Sequence, residues 1–462
     1  MVLPEVFSAC LRAHPDRLAV SDGVTELTYS DLDVGSAALA DRLRDCGRAR
    51  AGARIGIYAS NSPDYVLWYV AALRAGFVPF LIDAALGASE LARISYDCSL
   101  NFLAYEGKSG KRVPGGGEIR LSELVTDTDP VHELLPGTEV CRFTSGSTGK
   151  PNCVEFSGAA VANAATNWVA GTGLTAEDRT LCFAGLSNGL AFNTSLLATF
   201  LAGASLHFAR GLPTASAVLR RLDETGATRL VGFPALYDSL VRRGIRKLDV
   251  QLAISSGAPL SAHTKAALPG ISDYYGIAET GPLTFARVPV DGLGKPLPGV
   301  RLKVGEDGVS VHSESMASRY LNAPGLFESR VDADGFYRTG DEGHLRDGEL
   351  VLTGRSARTI NIGGRKVDPV EVSDVLLTAA DVRAAVVFEE ADTNGDPVIV
   401  AVVAGESTVD LRAHCRARLP GYKVPARVHL VPEIPANSIG KPAMEAVRAL
   451  AALSSGVVDG PA

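Results

Sequence analysis

Short apolar runs alternate with helical patterns along much of the chain, and this alternation constrains the fold more than any other feature. Residues 53–59 carry Ile at alternate positions, as a strand does, and a Ser-Pro-Asp sequence at 62–64 begins a helical pattern that ends near Gly76. Residues 77–82 are apolar again, and the same rhythm recurs over 159–256. Because strands that alternate with helices form a largely parallel sheet flanked by helices, we expect an α/β fold.

An amphipathic helix is predicted ahead of these elements. Leu32, Leu39 and Leu43 recur at a spacing that places them on one helical face. Ser30 is the expected N-cap, and Gly47 is the expected C-terminal cap.

The length of 462 residues, about three times that of a typical domain, predicts more than one domain. Beyond Gly292 the sequence changes to short strands and turns, which is typical of a small β-rich subdomain. A new α+β pattern begins after Arg355, with an acidic helix start at Val370 and an alternating strand over 398–403. We expect a large N-terminal domain over 1–355, a small mobile α+β domain over 356–452 and a flexible tail over 453–462.

The composition excludes several classes of protein. The chain has 45 basic and 52 acidic residues, a net charge of -7, and no basic run that would follow a phosphate backbone, so we expect no nucleic-acid partner. Seven scattered cysteines, never spaced Cys-x-x-Cys, predict buried thiols in a reducing compartment. The most apolar stretch, 65–82, is interrupted by Arg74, Gly76 and Pro79, so we expect a cytoplasmic protein without a membrane span.

The segment 143–151 concentrates hydroxyl groups, glycines and one cation. Backbone N–H groups at glycines can turn toward an anion, and hydroxyls can donate to phosphate oxygens. The residues concerned are Thr144, Ser145, Gly146, Ser147, Thr148, Gly149 and Lys150. The glycine spacing is too short for a Walker A loop, and Pro151 lacks the N–H that a following helix start would offer. We predict a loop that binds a polyphosphate; taken alone, the segment also fits a Ser/Gly surface linker.

This segment resembles the phosphate loop of the adenylate-forming superfamily, which comprises acyl-CoA synthetases, adenylation domains and luciferases. The other motifs of that superfamily follow in order, at 255–260, 274–282, 294–299, 337–341, 354–355, 363–371 and 437–442. Each motif alone is weak, but the ordered series is highly specific. The resemblance implies an enzyme with a large domain for ATP and the acid and a small domain that rotates between two half-reactions.

The resemblance also implies roles for individual residues around the nucleotide. Tyr275 and Gly276 match the motif whose aromatic ring stacks on adenine. Asp341 matches the acceptor for the ribose hydroxyls, and Arg355 matches a donor to sugar or phosphate. The adenine-side turn is matched by Gly257, Ala258 and Pro259. Outside this context, Tyr275 is equally explained by core packing, and Asp341 and Arg355 are better explained as a turn residue and a solvated surface residue.

Two further matches concern charge on the triphosphate. Glu279 matches the carboxylate that holds Mg²⁺. Lys441 matches the lysine that offsets the repulsion between an attacking carboxylate and the α-phosphate. A Gly-Lys pair near a chain end is otherwise usually a solvated turn.

The acid pocket is expected around Asn188, Phe192, Asn193 and Phe233. Amino-acid-activating relatives usually carry Phe-Asp-x-Ser, whose carboxylate pairs with the substrate ammonium, and here the matching run is Phe-Asn-Thr-Ser at 192–195. Asn193 removes that counter-charge and would leave a buried ammonium unpaired. We therefore expect an acid without an α-amino group, either aryl or short and substituted.

Three positions depart from the family pattern. Ala278 stands where a Thr commonly donates to the α-phosphate, and Ala357 stands at a hinge position that is usually Asp or Lys. The His that many acyl-CoA synthetases carry before the acyl pocket is missing, and Asn188 is the nearest polar substitute. These departures concern the acid, the acceptor and the domain rotation.

The resemblance implies that a carboxylic acid and ATP, with Mg²⁺, give acyl-AMP and pyrophosphate, and that the acyl group then passes to a thiol. The acceptor would be CoA or the phosphopantetheine of an acyl carrier protein. Two alternatives stay open at this point: an amino-acid adenylating enzyme or amide synthetase with an amine acceptor, and a catalytically idle adenylate-binding protein.

Overall fold

The computed structural model describes residues 2–47, 49–107, 110–112, 117–124, 132–144, 151–209, 214–258, 260–287, 292–305, 308–355, 360–362, 365–392, 397–436 and 442–453. The chain folds into two compact units. The first comprises Met1–Lys303, Ser310–Thr339 and Leu345–Val351, and the second comprises Val304–Val309, Gly340–His344 and Leu352–Ala462. The domain boundaries expected from the sequence remain a prediction.

The described strands are numbered in chain order. They are β1 (Leu18–Ser21), β2 (Glu26–Thr28), β3 (Arg54–Tyr58), β4 (Val78–Ile82), β5 (Phe102–Glu106), β6 (Lys111–Arg112), β7 (Ile119–Glu123), β8 (Thr138–Thr144), β9 (Asn152–Ser157), β10 (Arg179–Cys182), β11 (Ser205–His207), β12 (Arg229–Gly232), β13 (Leu252–Ser255), β14 (Ile271–Ile277), β15 (Gly281–Phe285), β16 (Lys295–Pro296), β17 (Val300–Gly305), β18 (Gly308–Ser313), β19 (Arg319–Tyr320), β20 (Tyr337–Arg338), β21 (Asp341–Arg346), β22 (Glu349–Arg355), β23 (Ile360–Ile362), β24 (Arg365–Val367), β25 (Val382–Ala391), β26 (Pro397–Gly405) and β27 (Arg427–Val431).

The described α-helices are α1 (Leu3–Ala13), α2 (Tyr29–Arg44), α3 (Pro63–Arg74), α4 (Ala88–Asp97), α5 (Gly158–Thr172), α6 (Gly189–Ala191), α7 (Leu197–Leu201), α8 (Ala215–Thr225), α9 (Pro234–Arg242), α10 (Ala262–Ala267), α11 (Pro369–Leu377), α12 (Leu411–Arg416) and α13 (Met444–Leu453). A π-helix, Phe192–Leu196, joins α6 to α7, and two 3₁₀ turns cover Glu328–Arg330 and Gly421–Lys423.

Two large sheets carry the first unit. Over the described residues, one sheet has nine strands in the order β16-β15-β14-β13-β12-β10-β11-β1-β2, and the other has eight in the order β19-β9-β8-β4-β3-β5-β7-β6. The central pairs of both sheets are parallel, and antiparallel pairs lie toward the edges. Helices lie between the parallel strands along the chain, as the long connections of parallel pairs require. The α/β fold expected from the sequence is confirmed.

The start of α3 confirms the signal at 62–64, because the Ser62 hydroxyl caps the helix by accepting from the Tyr65 N–H and Pro63 occupies its first turn. The predicted caps of α2 are wrong. Thr28 is the N-cap: its hydroxyl accepts from the Asp31 N–H, and the Asp31 carboxylate accepts from the Thr28 N–H. This reciprocal pair starts the helix before Ser30, and the C-cap is Asp45 rather than Gly47.

The second unit is built on the sheet β25-β26-β27, in which β25 is antiparallel and β27 parallel to β26. One apolar cluster includes Val372 and Leu376 of α11 together with Ile399, and another includes Val400 and Val447 of α13. Alternate residues of β26 thus enter different clusters, as expected for a sheet covered on both faces. The helix start near Val370 and the strand over 398–403 are confirmed.

All seven cysteines are buried and free, as the sequence predicts. Along the described part of the chain, no helix is both long and apolar enough to cross a lipid bilayer.

His207 on β11 gives the fold a specific pH dependence. It is 4% exposed, and its Nε2 lies 2.9 Å from the Ser205 hydroxyl. Burial, reinforced by the positive charges of Arg221 and Arg179, lowers the pKa of His207 from 6.5 to about 4. The imidazole is therefore neutral in the folded protein at pH values where the unfolded chain already binds a proton.

We predict that this contribution to the free energy of unfolding is fully present above pH 6.5 and falls as the pH drops toward 4, by up to about 3 kcal/mol. Urea unfolding at pH 7.5 and pH 5 measures it, and His207→Gln, which cannot titrate, should lose less stability between the two pH values than the unsubstituted chain. An equal loss in both proteins would contradict the prediction.

Candidate active site

The carboxyl ends of three neighbouring parallel strands bring predicted adenine-side residues and one predicted acid-pocket residue, Phe233, to the same end of the nine-stranded sheet. Phe233 follows β12, Gly257 and Ala258 follow β13, and Tyr275 lies in β14. In open α/β sheets this end is where ligands bind. Gly257 has φ +89°, and a Cβ there would lie 3.2 Å from the Phe233 ring, so the turn favours glycine for both conformation and space.

The two neighbouring tyrosines of β14, Tyr274 and Tyr275, have different surroundings. Tyr274 packs into the core with its ring 5.0 Å from that of Trp168, and its hydroxyl bonds the Ser256 side chain. Tyr275 is 7% exposed, and the next residue, Gly276, is half-buried. The residue matched to adenine stacking is thus largely enclosed, and only a small part of its surface reaches solvent.

Glu279 lies in the turn between β14 and β15, half-buried. The Tyr320 hydroxyl donates to Glu279 Oε1 at 2.6 Å and lies 3.0 Å from the Tyr337 hydroxyl. Arg330 Nη1 donates to the Tyr337 oxygen at 3.4 Å. Burial, followed by the Glu279 charge, raises the pKa of Tyr320 well above its usual value. Tyr320 therefore remains a hydrogen-bond donor and holds the carboxylate in place.

Sequence reasoning missed Tyr320. It is 1% exposed and lies on the two-residue strand β19, which pairs with β9. Its link to Glu279 spans 41 positions, and no local pattern around a lone Arg-Tyr pair predicts such a contact.

Several predicted site residues fall outside the part of the chain that is described. They are Ser145, Gly146, Ser147, Thr148, Gly149, Lys150, Pro259, Ala357 and Lys441. Thr144 is described, partly exposed, as the last residue of β8. Arg355 is the last residue of β22, and Asp341, 2% exposed, begins β21 in the second unit.

The predicted acid-pocket residues Asn188, Phe192 and Asn193 lie on one continuous helical segment. Asn188 Oδ1 accepts from the Leu190 N–H at 2.9 Å and so caps α6. Phe192 and Asn193, 3% and 6% exposed, lie in the π-helix that follows. A π-helix often marks a functional position because it re-aims side chains within a helix. Phe233 is half-buried at the N-cap of α9.

A buried cation, Arg142, lies beside this segment. It is 2% exposed on β8, and its guanidinium carbon is 4.7 Å from the ring centroids of both Phe156 and Phe192. Its Nη2 donates to the Ala278 carbonyl at 3.1 Å. Burial lowers the pKa of Arg142 to about 10, with the Glu279 charge acting in the opposite direction, so the group stays positive at neutral pH.

Sequence reasoning also missed Arg142, although a signal was present. A charged residue stands two positions before Thr144, between the apolar residues Cys141 and Phe143, and such a residue is seldom fully buried without a partner or a function. The sequence therefore marks Arg142 as unusual but does not indicate its role.

The two-sheet α/β unit followed by a small α+β unit is the architecture of adenylate-forming ligases. The model of the AMP-binding enzyme family matches residues 7–315, and that of the AMP-binding enzyme C-terminal domain matches 371–441. Because the first of these models covers more than half of the chain, the protein belongs to the AMP-binding enzyme family.

Individual relatives are more distant. One component of the plipastatin synthase of Bacillus subtilis is 27% identical over 92% of this chain, but the chain spans only 18% of that relative. Feruloyl-CoA synthase of an Amycolatopsis species is 28% identical over 93% of this chain and 95% of its own length. The structure of O-succinylbenzoate coenzyme A synthetase of Bacillus subtilis, in complex with ATP and magnesium ion, superposes with a TM-score of 0.83 at 20% identity, covering 96% of this chain and 99% of the other.

Proposed function

We propose that the protein activates a carboxylic acid with ATP and transfers the acyl group to a thiol. A carboxylate oxygen forms a bond to the α-phosphorus of ATP, the bond from that phosphorus to the β-bridging oxygen breaks, and pyrophosphate leaves with the electron pair. The thiolate then forms a bond to the acyl carbon, and AMP leaves. The family assignment and the strand-edge placement of Phe233, Gly257 and Tyr275 support this proposal.

Glu279 is the residue that we propose to hold Mg²⁺ on the triphosphate. Two observations support Glu279 as a ligand for this ion. The residue is half-buried, and the Tyr320 hydroxyl donates a hydrogen bond to Oε1 and so orients the carboxylate. Oxygen ligands of this kind suit Mg²⁺, which usually takes one or two carboxylates plus phosphate oxygens. The ion would offset negative charge on the phosphates while the acid approaches.

The proposed acid lacks an α-amino group and is short or aryl. Asn193 and Phe192 support this part of the proposal, because both are buried on the segment beside Arg142 and neither carries a negative charge. For the acceptor we propose the thiol of CoA or of a carrier-protein phosphopantetheine. Relatives named as a feruloyl-CoA synthase and as a nonribosomal peptide synthetase support both.

The proposal predicts acid-dependent exchange of labelled pyrophosphate into ATP and release of AMP. The exchange arises because acyl-AMP formation is reversible while the adenylate stays bound. A panel of acids is assayed with ATP and Mg²⁺, followed by CoA or hydroxylamine as acceptor. Accumulation of ADP would indicate an acyl-phosphate mechanism and overturn the proposal, while faster transfer to amines than to thiols would favour an amide synthetase.

Lys441→Ala is predicted to slow adenylation by about 10²- to 10³-fold, because one preorganised charge at a developing anion typically contributes that much. Transfer from supplied acyl-AMP to the thiol should remain near normal. The matched control is Lys303→Ala, which removes a lysine that is ion-paired with Asp332 and Asp334 at the surface. Equal slowing of both half-reactions by Lys441→Ala would assign the lysine a structural role instead.

Tyr320→Phe is predicted to raise the Mg²⁺ concentration needed for half-maximal exchange by about tenfold or more, because groups that orient a metal-binding carboxylate typically contribute 10- to 100-fold to affinity. Tyr337→Phe is the control, since the Tyr337 hydroxyl reaches Glu279 only through Tyr320. A Mg²⁺ titration of both variants decides the question. The same Mg²⁺ dependence in the two variants would show that Tyr320 does not position Glu279.

A further inference from the structure

Arg142 is a buried cation with few hydrogen-bond partners among the described residues. Its exposed fraction is 2%, and its one hydrogen bond among the described residues runs from Nη2 to the Ala278 carbonyl. Its Nε has no hydrogen-bond partner within the described part of the chain. A guanidinium removed from water is costly unless an anion or several acceptors replace the lost hydration.

Two buried tyrosine hydroxyls lie within electrostatic range of Arg142. The hydroxyls of Tyr65 and Tyr69 on α3 interact electrostatically with Arg142, and the two residues are 1% and 0% exposed. Neither hydroxyl has a hydrogen-bond partner in the described residues. A phenol that is protonated offers a donor, so the group presents several unused donors and one full positive charge. Such a set complements an anion.

The guanidinium lies beside the predicted acid pocket. A Cβ built on Gly189 would be 3.1 Å from Arg142 Nη1, 3.8 Å from Asn193 Nδ2 and 3.9 Å from the Ala278 Cα. Gly189 and Ala278 are themselves half-buried. Arg142 Nη1 and Asn193 Nδ2 therefore both lie within 4 Å of one position beside Gly189, and both are N–H donors.

The sign of the charge selects the ligand. An α-ammonium group beside Gly189 would be repelled by the positive charge of Arg142. The neutral amide of Asn193 would supply no counter-charge for it. A carboxylate would meet a bidentate donor with opposite charge. The Glu279 carboxylate acts on Arg142 electrostatically. It already accepts a hydrogen bond from Tyr320 and is the group that we propose to hold Mg²⁺.

We propose that Arg142 is a specificity-determining residue that binds a second carboxylate on the acid, so that the enzyme activates short dicarboxylic acids through the carboxylate that is left free. This proposal rests on the proposed function and names the substrate class of the same site. Arg142 contacts the Ala278 carbonyl, one residue before Glu279. The carboxylate bound by Arg142 and the carboxylate that reacts would therefore both lie near this turn, and only a short acid places its two carboxylates so close together.

The test compares pairs of acids with the same number of carbons in the full-length chain. Pyrophosphate exchange is measured with malonate against propanoate and with succinate against butanoate, and alanine serves as the α-amino analogue. We expect the dicarboxylate to exceed its monocarboxylate partner in kcat/KM by about tenfold or more, with no exchange above background for alanine.

Arg142→Met keeps an unbranched apolar stem and removes the guanidinium and its charge. We expect it to lower the ratio of kcat/KM for a dicarboxylate to kcat/KM for its monocarboxylate partner by about 30-fold or more, with partial rescue in Arg142→Lys. Arg54→Met is the matched control. Arg54 is also a buried arginine on a strand of the same sheet, 6% exposed, and donates to the Cys98 and His132 carbonyls. It should change stability without changing the ratio of the two acids.

Two outcomes overturn the inference and leave the proposed function intact: a preference of the unsubstituted chain for monocarboxylates, or an unchanged ratio in Arg142→Met. The first needs no variant, so misfolding of Arg142→Met does not remove the test. Absence of exchange with every acid, including aryl acids, would overturn the proposed function itself.

Discussion

The parallel register of β12, β13 and β14 is the constraint on which the candidate site depends. Gly232 pairs with Ser255, and Ser255 pairs in turn with Asp273. Because the three strands run in one direction and end together, the segments that follow them leave from one edge of the sheet. The turn with Gly257 and the turn with Glu279 therefore lie at the same end of neighbouring strands, although each is made by a different part of the sequence.

The arginines enclosed in the first unit have different kinds of partner: Arg54, for example, donates to two backbone carbonyls. Arg229 Nη2 lies 3.1 Å from Asp178 Oδ2, and Arg319 Nε lies 2.8 Å from Glu155 Oε2, so each cation has a carboxylate of its own. Arg142 has two aromatic faces and one carbonyl instead. A cation–π contact contributes about 2 kcal/mol at a desolvated site, less than the several kcal/mol that desolvating a charged group costs. Arg142 is thus harder to explain as a stabilising residue than the two paired arginines.

Local patterns predicted the elements but not the contacts between them. The start of α3 was predictable because Ser62 and Pro63 act within one turn of the helix. The start of α2 was misplaced by two residues because the hydroxyl of Thr28, and not that of Ser30, forms the reciprocal bonds with Asp31 that begin the helix. Glu279 was found through its motif. Its partner Tyr320 lies 41 positions away, and Arg142 reaches Ala278 across 136 positions, distances at which sequence periodicity carries no information.

Ala278 and Arg142 are best understood together. The hydroxyl that relatives commonly place at position 278 would donate one hydrogen bond outward from the turn, and Ala278 has none to give. Its carbonyl instead accepts from Arg142 at 3.1 Å, so a full positive charge lies directly beneath the turn. In a water-excluded site a charge acts over several ångströms without contact, whereas a hydroxyl acts only on the atom it touches. Compared with a turn that carries a hydroxyl, the turn before Glu279 attracts negative charge more broadly but selects less sharply for the position of one atom. That combination suits the proposed pocket, which would hold more than one anionic group.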